Sequence, residues 1–270
     1  MIGVYFMGRL GNQIFQYYYL QYLKQQTGKL CFFPNPHHAY LGKYFDLGPV
    51  NNVLLNSKLY SVLARIIPKV FPFKPLYIQN FSKPRERDIA NWTMVYGYFQ
   101  SDYYAKKLTN YEPLKLKKPF SDAFHEKFGA VFGANKTVVV HIRRTDYLNY
   151  GKRDISLPIS YFQEQLNTLP NIEEYTVFFV SDDMEFVKNA FPAQPNFIFT
   201  SNSEIIDFQL IQNADVAIIS NSTFAWWACY FSPKKQRVIA PKNWMAFRIG
   251  REHPQGVMTD KFEWVEVPKD

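Results

Sequence analysis

Cysteine is scarce in this chain of 270 residues: only Cys31 and Cys229 occur, far apart and in no metal-ligand spacing. Such a pair is a poor disulfide framework and is typical of a reducing compartment. No stretch approaches the roughly eighteen apolar residues of a membrane span, and the N-terminus lacks the basic start and apolar run of a signal peptide. We therefore expect a cytoplasmic protein, either free or peripheral on the inner face of the membrane.

Acidic residues are outnumbered, with 23 Asp and Glu against 31 Lys and Arg, which gives a net charge of +8. This excess favours an anionic partner: a nucleotide, a phospholipid surface, a nucleic acid or an anionic glycan. Because the charge is spread along the chain without a basic arm, nucleic acid is not the first choice. The aromatic content of 18% and hydrophobic content of 47% are typical of a globular protein and argue against long disordered stretches.

Apolar runs alternate with helical patterns through the second half of the chain. Residues 138–140, 175–180 and 216–219 are the clearest predicted strands. The alternation predicts an α/β fold with a parallel sheet and helices on both faces. A charged stretch containing Pro113 and Pro119 indicates a domain boundary, so we expect an N-terminal lobe of residues 1–125 and a C-terminal lobe of residues 126–270.

Polar clusters follow each of these three strands. They are His141, Arg143, Arg144 and Asp146; Ser181, Asp182 and Asp183; and Asn221, Ser222 and Thr223. In a doubly wound sheet all three clusters open on one edge, where ligands bind. Two arginines there are typical of an anion site, because guanidinium forks bind phosphate oxygens. The alternative is an ordinary surface ion pair between Arg144 and Asp146.

The two carboxylates Asp182 and Asp183 allow several interpretations. An ionised Asp182 suits the N1–H and amino group of guanine, since it can accept from both donors. For Asp183, a role as N-cap of the following helix is at least as consistent with the sequence as a ligand contact. Together they resemble half of a divalent-cation site, but Arg143 already supplies the charge that a metal would, so we predict no metal.

The N-terminal stretch has the pattern strand, glycine-bearing turn, helix. Gly8 and Gly11 are its only turn glycines, so the G-x-G-x-x-G dinucleotide motif is absent. Asn12 at the helix start is either an N-cap or a ligand contact. Further on, segment 58–74 is amphipathic and interleaves basic with aromatic residues, which fits either a membrane surface or a helix packed on its own core.

Four motifs stand out along the chain: GRLGNQIFQ at residues 8–16, HIRRTDY at 141–147, NSTFAWW at 221–227 and IAPKNW at 239–244. Together they resemble glycosyltransferase family 11, whose members are mostly bacterial α-1,2-fucosyltransferases that use GDP-fucose. The H-x-R-R-x-D pattern is shared more widely with α-1,6- and protein O-fucosyltransferases, whereas the stretches at 8–16 and 221–227 make the resemblance specific to the α-1,2 group. The resemblance implies a GT-B-like fold of two Rossmann-like lobes, with the donor in the cleft and held mainly by the C-terminal lobe.

The resemblance also implies roles for individual residues. Arg143 should bind the β-phosphate, His141 and Asp182 should lie near the nucleoside, and Asn12 should approach the pyrophosphate or the fucose. Asp146 should orient the arginines. The remaining expected substrate-binding residues are Gly11, Gln13, Arg144, Asn221, Ser222, Thr223 and Phe224.

The implied reaction is an inverting transfer of fucose to the 2-hydroxyl of a terminal β-galactoside, without metal or cofactor, in surface-glycan or O-antigen synthesis. The α-1,6 relatives carry a proposed general base a few residues after H-x-R-R-x-D, but here the first carboxylate is Asp154. The base is therefore either Asp154 or His141. Two alternatives stay open: the same fold acting on another sugar or linkage, and a catalytically silent module that binds a nucleotide sugar.

Overall fold

The computed structural model describes residues 1–269, and the chain divides into two compact units. Unit 1 comprises Met1–Lys117 and His253–Val257, and unit 2 comprises the rest of the described chain. Each unit is built on a parallel β-sheet of its own.

Unit 1 contains short strands and mostly short helices, as its many prolines favour. In chain order its elements are β1 (Ile2–Val4), α1 (Leu10–Thr27), β2 (Cys31–Phe32), a 3₁₀ helix (Pro36–His38), α2 (Leu41–Tyr44), β3 (Phe45–Asp46), α3 (Pro49–Asn56), α4 (Lys58–Val70), β4 (Lys74–Tyr77), β5 (Thr93–Tyr96), α5 (Tyr103–Lys106) and β6 (Lys115–Leu116). The sheet order is β2-β1-β5-β4, all parallel, while β3 and β6 form a separate antiparallel pair.

The first strand therefore has β2 on one side and β5 on the other. The strand order changes direction between β1 and β5, so the loops that leave their carboxyl ends lie beside each other. Helix α1 follows β1 and ends at Gly28, whose left-handed backbone (φ 62°) donates its N–H to the Lys24 carbonyl. Buried Tyr19 of this helix stacks on Phe99 with ring centroids 3.7 Å apart, which fixes α1 against the loop after β5.

Unit 2 is more regular. In chain order its elements are α6 (Lys118–Ala134), β7 (Lys136–Ile142), a 3₁₀ helix (Thr145–Tyr147), α7 (Ile159–Asn167), a 3₁₀ helix (Ile172–Glu174), β8 (Tyr175–Ser181), α8 (Met184–Ala190), β9 (Phe197–Thr200), α9 (Glu204–Asn213), β10 (Val216–Ile219), α10 (Thr223–Tyr230), β11 (Arg237–Pro241), a 3₁₀ helix (Phe247–Ile249) and β12 (Glu263–Val265). The parallel sheet has the order β12-β11-β10-β7-β8-β9.

This order is that of a doubly wound fold, in which the first strand, β7, lies beside the fourth, β10. The valines of β7 are fully buried, as expected for a central strand. Val138 and Val140 pack toward α7 and α8, whereas Phe178 of β8 meets Phe128 of α6 on the other face. Helices therefore cover both faces of the sheet, and the predicted α/β class is confirmed.

The division between the units falls at residues 117 and 118, whereas the sequence placed it at 125 and 126. The difference arises because α6 is one continuous helix from Lys118, in which Phe124 packs on Phe128 and Phe128 packs on Phe178 of β8. Among residues 1–269, no helix is long and apolar enough to cross a membrane.

Candidate functional site

In unit 2 the strand order reverses between β7 and β10, so the carboxyl ends of these two strands lie side by side at the topological switch point. The main-chain N–H of Arg143 donates to Ser220 Oγ at 2.8 Å, and the Ser220 hydroxyl donates to the carbonyl of His141 at 2.9 Å. Ser220 is fully buried, so these bonds are shielded from water. They fix the point at which the chain leaves β7, and this is where a doubly wound sheet binds its ligand.

The Arg143 guanidinium lies between two carboxylates at this point. Its Nη2 is 2.7 Å from Asp146 Oδ1, and its Nη1 is 3.0 Å from Asp182 Oδ2. Burial lowers the pKa of Arg143, but the hydrogen bond to Asp146 and the charge of Asp182 outweigh that effect and raise it. A guanidinium has five N–H donors, so its remaining N–H groups can bind an anion while the ion pairs hold the side chain in place.

Asp182 also fixes the loop that follows Arg143. Its carboxylate accepts from the main-chain N–H of Arg144 at 2.9 Å, from that of Thr145 at 3.2 Å, and from the Thr145 hydroxyl. These bonds use the lone pairs that guanine recognition would need, so a guanine base would compete with the loop. Contact between Asp182 and the nucleoside stays a prediction.

Asp183 caps helix α8, since its Oδ1 accepts from the N–H of Phe186 at 3.2 Å. The helix-cap interpretation of Asp183 is thus confirmed. Arg144 packs on the same turn, with its guanidinium carbon 3.8 Å from the centre of the Phe186 ring and its Nε 3.6 Å from Asp183 Oδ2. Arg144 is therefore held against α8, while Arg143 is the arginine that pairs with Asp146 and Asp182.

His141, the last but one residue of β7, is buried with 6% of its surface exposed. Burial and the nearby Arg143 charge lower the pKa of His141 to about 4, so the imidazole is neutral at pH 7. Its Nδ1 atom has no hydrogen-bond partner among residues 1–269. Buried polar atoms normally find a partner, so a free nitrogen at a switch point is suited to accept a hydrogen bond from a ligand.

The end of β10 carries Asn221, Ser222 and Thr223. Asn221 Nδ2 donates to the Ile155 carbonyl at 2.8 Å, and the Tyr147 hydroxyl donates to the Asn221 carbonyl at 3.1 Å. These bonds tie the loop after β7 to β10. Asn221 Oδ1 is buried and has no partner among the described residues. Ser222 is the N-cap residue of α10 but makes no side-chain cap bond, so its hydroxyl is available at a positive helix end.

Phe224 and Asp154 are also in unit 2. The ring of Phe224 lies 6.2 Å from that of His141. Asp154 Oδ1 accepts from the main-chain N–H and the hydroxyl of Ser156, at 2.8 Å and 2.6 Å, and its Oδ2 is 3.9 Å from Arg248. The Asp154 side chain is about half exposed and lies on the loop that Asn221 fixes at Ile155.

Asn12 lies in unit 1, in the first turn of α1. The N-cap of this helix is Arg9, without a side-chain cap bond, so the N-cap interpretation of Asn12 is wrong. Asn12 Oδ1 instead accepts from Gln100 Nε2 at 2.8 Å, which links the loops after β1 and β5 across the switch point of this unit. The contact orients Asn12 and leaves its amide nitrogen for another acceptor.

Gly11 and Gln13 are buried in the same turn. Gln13 Nε2 donates to the His38 carbonyl at 2.7 Å, and its Oε1 accepts from the N–H of Tyr40 at 2.7 Å. Gln13 therefore fixes the loop before α2, and its amide groups are fully used within unit 1. A direct contact from Gln13 to substrate would require these bonds to break.

Three residues that the sequence did not single out position residues 143–147, which we call the anion loop: Ser220, Thr145 and Phe186. Thr145 lies within the arginine motif and Ser220 directly precedes the N-S-T motif. Their positions in the sequence therefore indicated proximity to the site, but not the hydrogen bonds that they make. Phe186 had no signal of its own, because only the packed structure places it under Arg144.

Two units with parallel sheets, each with polar loops at the switch point, define an α/β protein of the GT-B-like class. Among solved structures, the fucosyltransferase NodZ from Bradyrhizobium aligns with a TM-score of 0.52 at 12% identity, covering 88% of this chain and 94% of NodZ. POFUT1 in complex with GDP aligns with a TM-score of 0.52 at 15% identity, covering 88% of this chain and 97% of POFUT1. These likenesses confirm the fold class.

The chain belongs to glycosyl transferase family 11, whose family model matches residues 1–267. It is similar to the Escherichia coli alpha-1,2-colitosyltransferase, at 27% identity over 97% of both chains. The Escherichia coli O-antigen biosynthesis glycosyltransferase WbnK is 31% identical over 41% of this chain, and human galactoside alpha-(1,2)-fucosyltransferase 1 is 25% identical over 85% of it. The matched regions cover 39% of WbnK and 65% of the human enzyme, less than two thirds of either.

Proposed function

We propose that this protein transfers fucose from GDP-fucose to the 2-hydroxyl of a terminal β-galactoside, with inversion and without a metal ion. The observation that carries the proposal is Arg143, held by two carboxylates at the switch point beside the N-terminus of α10. A diphosphate is the ligand that suits a fixed guanidinium next to a positive helix end. Membership of glycosyl transferase family 11 and likeness to α-1,2-transferases favour fucosyl transfer among the reactions of nucleotide sugars.

In the proposed step, the acceptor 2-hydroxyl attacks C1 of fucose while the bond from C1 to the β-phosphate oxygen breaks and GDP leaves. Arg143 and the Ser222 hydroxyl stabilise the charge that develops on the diphosphate. Because Arg143 is already oriented by its ion pairs, little reorganisation is needed as the bond breaks. Such pre-organised electrostatic stabilisation is usually the largest single contribution to catalysis.

The hydroxyl proton must pass to a base within hydrogen-bond reach. Asp154 is the better candidate, because its side chain is about half exposed and its Oδ1 is oriented by Ser156. His141 is neutral at pH 7 and so could accept a proton, but it is almost fully buried and is better placed to accept a hydrogen bond from the donor.

The acceptor belongs, in this proposal, to a surface glycan such as an O-antigen repeat. Likeness to WbnK, named for O-antigen biosynthesis, supports this role. The net charge of +8 favours binding to anionic partners, and we propose that these include the cytoplasmic surface of the membrane.

A second candidate donor is GDP-colitose. Its support is the similarity to an alpha-1,2-colitosyltransferase over 97% of both chains. Colitose is fucose without the 3-hydroxyl, so the two sugars differ by one hydrogen-bonding group, and a site built to bind that hydroxyl would discriminate strongly between them.

The test is GDP release from the purified protein, with GDP-fucose or GDP-colitose and a panel of β-galactosides, in the presence and absence of EDTA. We expect release from GDP-fucose that depends on acceptor and survives EDTA. Arg143→Ala should lower kcat/KM by at least about a hundredfold. Arg237→Ala is the matched control, because Arg237 lies at the amino-terminal end of β11, away from the carboxyl ends of the strands that carry the site, and pairs with Glu263 there.

Each other outcome assigns a different function. Faster release from GDP-colitose would make colitose the natural donor. Release that EDTA abolishes would show that a metal takes part. No release from either donor by folded protein would leave a module that binds nucleotide sugars without turnover.

A further inference from the structure

Helix α4 of unit 1 has two apolar faces, and only one of them meets the protein core. Tyr60, Ala64 and Ile67 pack against the cluster that includes Met94 of β5. Ala64 is the single buried residue of the helix. The inward face therefore accounts for only part of the apolar content of α4.

The second face is an exposed apolar stripe. Leu59, Leu63, Ile66 and Val70 follow one another at intervals of four, three and four residues, which places them on one side of an α-helix. Leu59 and Val70 expose 71% and 68% of their surface. Val62 flanks the stripe, and Val50 and Val53 of neighbouring α3 are exposed as well. We call these seven residues the apolar stripe.

The charged residues of α4 are all positive. Lys58, Arg65 and Lys69 repeat at intervals of seven and four residues, so they form a row along the side of α4 next to the stripe. Lys74 follows in the edge strand β4. None of these four cations forms an ion pair within residues 1–269, and the sequence has no Asp or Glu from residue 47 to residue 85. A run of this length without a carboxylate leaves the cations uncompensated.

We propose that α3 and α4 lie in the interface of an anionic lipid bilayer, with the apolar stripe in the acyl boundary and the cationic row against the headgroups. A helix with one apolar and one cationic side binds in this way, through buried apolar area and attraction to anionic lipids. The inference uses only residues of unit 1 that lie outside the loops after β1 and β5. It does not depend on which sugar or acceptor the protein uses.

A second copy of the chain is the competing occupant of the stripe. In a two-fold symmetric dimer the same patch would face itself, which brings the cationic row of one copy toward that of the other. With no carboxylate between residues 47 and 85 to separate the rows, that arrangement is repulsive. An anionic surface satisfies both features of the patch, so the charge decides in favour of lipid.

The experiment is co-sedimentation of the full chain with phosphatidylcholine vesicles, with and without phosphatidylglycerol. We expect binding to the anionic vesicles that weakens as NaCl rises from about 0.15 M to about 1 M. The double variant Leu59→Ser, Ile66→Ser should lower the partition coefficient by about tenfold or more through lost apolar contact. The double variant Lys58→Glu, Lys69→Glu should lower it at least as much, through lost attraction to the headgroups.

Leu30→Ser and Lys235→Glu are the matched controls, because each changes an exposed residue of the same type away from the stripe. They should bind like the wild type, and all variants should keep the wild-type thermal unfolding temperature within a few degrees because every changed side chain is exposed. Equal binding to neutral and anionic vesicles, or binding by the wild type that neither double variant changes, would overturn the proposal. A concentration-dependent dimer that Leu59→Ser, Ile66→Ser abolishes, without vesicle binding, would assign the stripe to a second copy.

Discussion

The carboxylate of Asp182 holds two different groups at once: the guanidinium of Arg143 and the main-chain N–H groups of Arg144 and Thr145. An acidic side chain in this position sets the geometry of the anion loop and its charge together. Its contribution to activity therefore passes through Arg143, and we regard Asp182 as a positioning residue.

Asp182→Asn should weaken donor binding and loosen the loop. The amide keeps one acceptor oxygen but turns an NH₂ group toward N–H donors, so the free energy of unfolding should fall by about 1–3 kcal/mol. KM for GDP-fucose should rise by about tenfold or more, because Arg143 loses one of its two carboxylate partners. Steady-state kinetics and urea unfolding measure the two effects.

Asp183→Asn is the control for this variant. Asn caps helices about as well as Asp, so α8 should keep its start and unfolding should change by less than about 1 kcal/mol. If Asp182→Asn left both KM and stability at wild-type values, the loop would be held by other contacts and the positioning role would be wrong.

His141 should make stability depend on pH in a defined window. Its pKa is lowered to about 4 in the folded protein, against about 6.5 when unfolded, so the unfolded chain binds more protons between these values. Stability contributed by the neutral imidazole is therefore present at pH 7 and lost as pH falls. The loss should reach about 2–3 kcal/mol at pH 4.5.

Urea unfolding of the wild type and of His141→Phe at several pH values tests this. The ring of Phe does not titrate. The difference in the free energy of unfolding between the wild type and His141→Phe should therefore shrink by about 2–3 kcal/mol as pH falls from 7 to 4.5. Asp207 acts in the opposite sense, because burial raises its pKa to about 6, but its effect cancels in the difference. A difference that does not vary with pH would show that His141 is not buried in its neutral form.

Helix α1 is flanked by two glycines, Gly8 before its start and Gly28 at its C-cap. Gly8 has a left-handed backbone (φ 71°), and a Cβ there would collide with the side chain of Asn12. Gly28 at the other end of α1 is also left-handed (φ 62°), but a Cβ there would meet nothing within 4 Å. Both glycines thus have a left-handed backbone that would strain a residue with a Cβ, and they differ in the side chain that this Cβ would meet.

Gly8→Ala and Gly28→Ala should each cost about 1–2 kcal/mol of stability through the left-handed backbone. Only Gly8→Ala should also lower the transfer rate, because it displaces Asn12 from Gln100. Equal transfer rates in the two variants, measured at saturating donor, would show that Asn12 has no part in the reaction.

Long elements were predictable from sequence patterns, whereas short ones were not. The buried valines of β7 predicted a central strand, and the polar residues after β7, β8 and β10 predicted one site edge, because both follow from residue type and period alone. The two-residue strand β2 and the edge strands β4 and β12 had no clear pattern, since short strands depend on the neighbours they pair with. For α4, the core and membrane interpretations were alternatives in sequence, whereas in the structure one face packs on the core and the other is exposed.

Across the whole molecule, each unit contains one free, buried cysteine: Cys31 in unit 1 and Cys229 in unit 2. Burial raises the pKa of both thiols, which keeps them protonated and unreactive in the folded protein. The two residues therefore report separately on the opening of each unit.

We expect neither thiol to react with a thiol reagent in native buffer and both to react in denaturant. Omitting the reductant should leave the unfolding temperature unchanged, because no disulfide contributes to it. Labelling followed by peptide mass spectrometry identifies which thiol reacts. Rapid labelling of either one in native buffer would show that its unit opens locally, contrary to the buried positions seen here.

The sequence by itself determined the α/β class, the central strand of unit 2 and the chemical groups at its strand ends, because these depend on local period and residue type. It did not determine which groups bond to one another. Asp182 meets Arg144 and Thr145 across 38 and 37 residues because β8 pairs with β7, and Ser220 meets Arg143 across 77 residues because β10 pairs on the other side. Strand order is a property of the whole packed sheet, so only the tertiary structure could assign Asp182 to the loop after β7 and Asn12 to Gln100, whereas the cap by Asp183 is a local contact that the sequence could suggest.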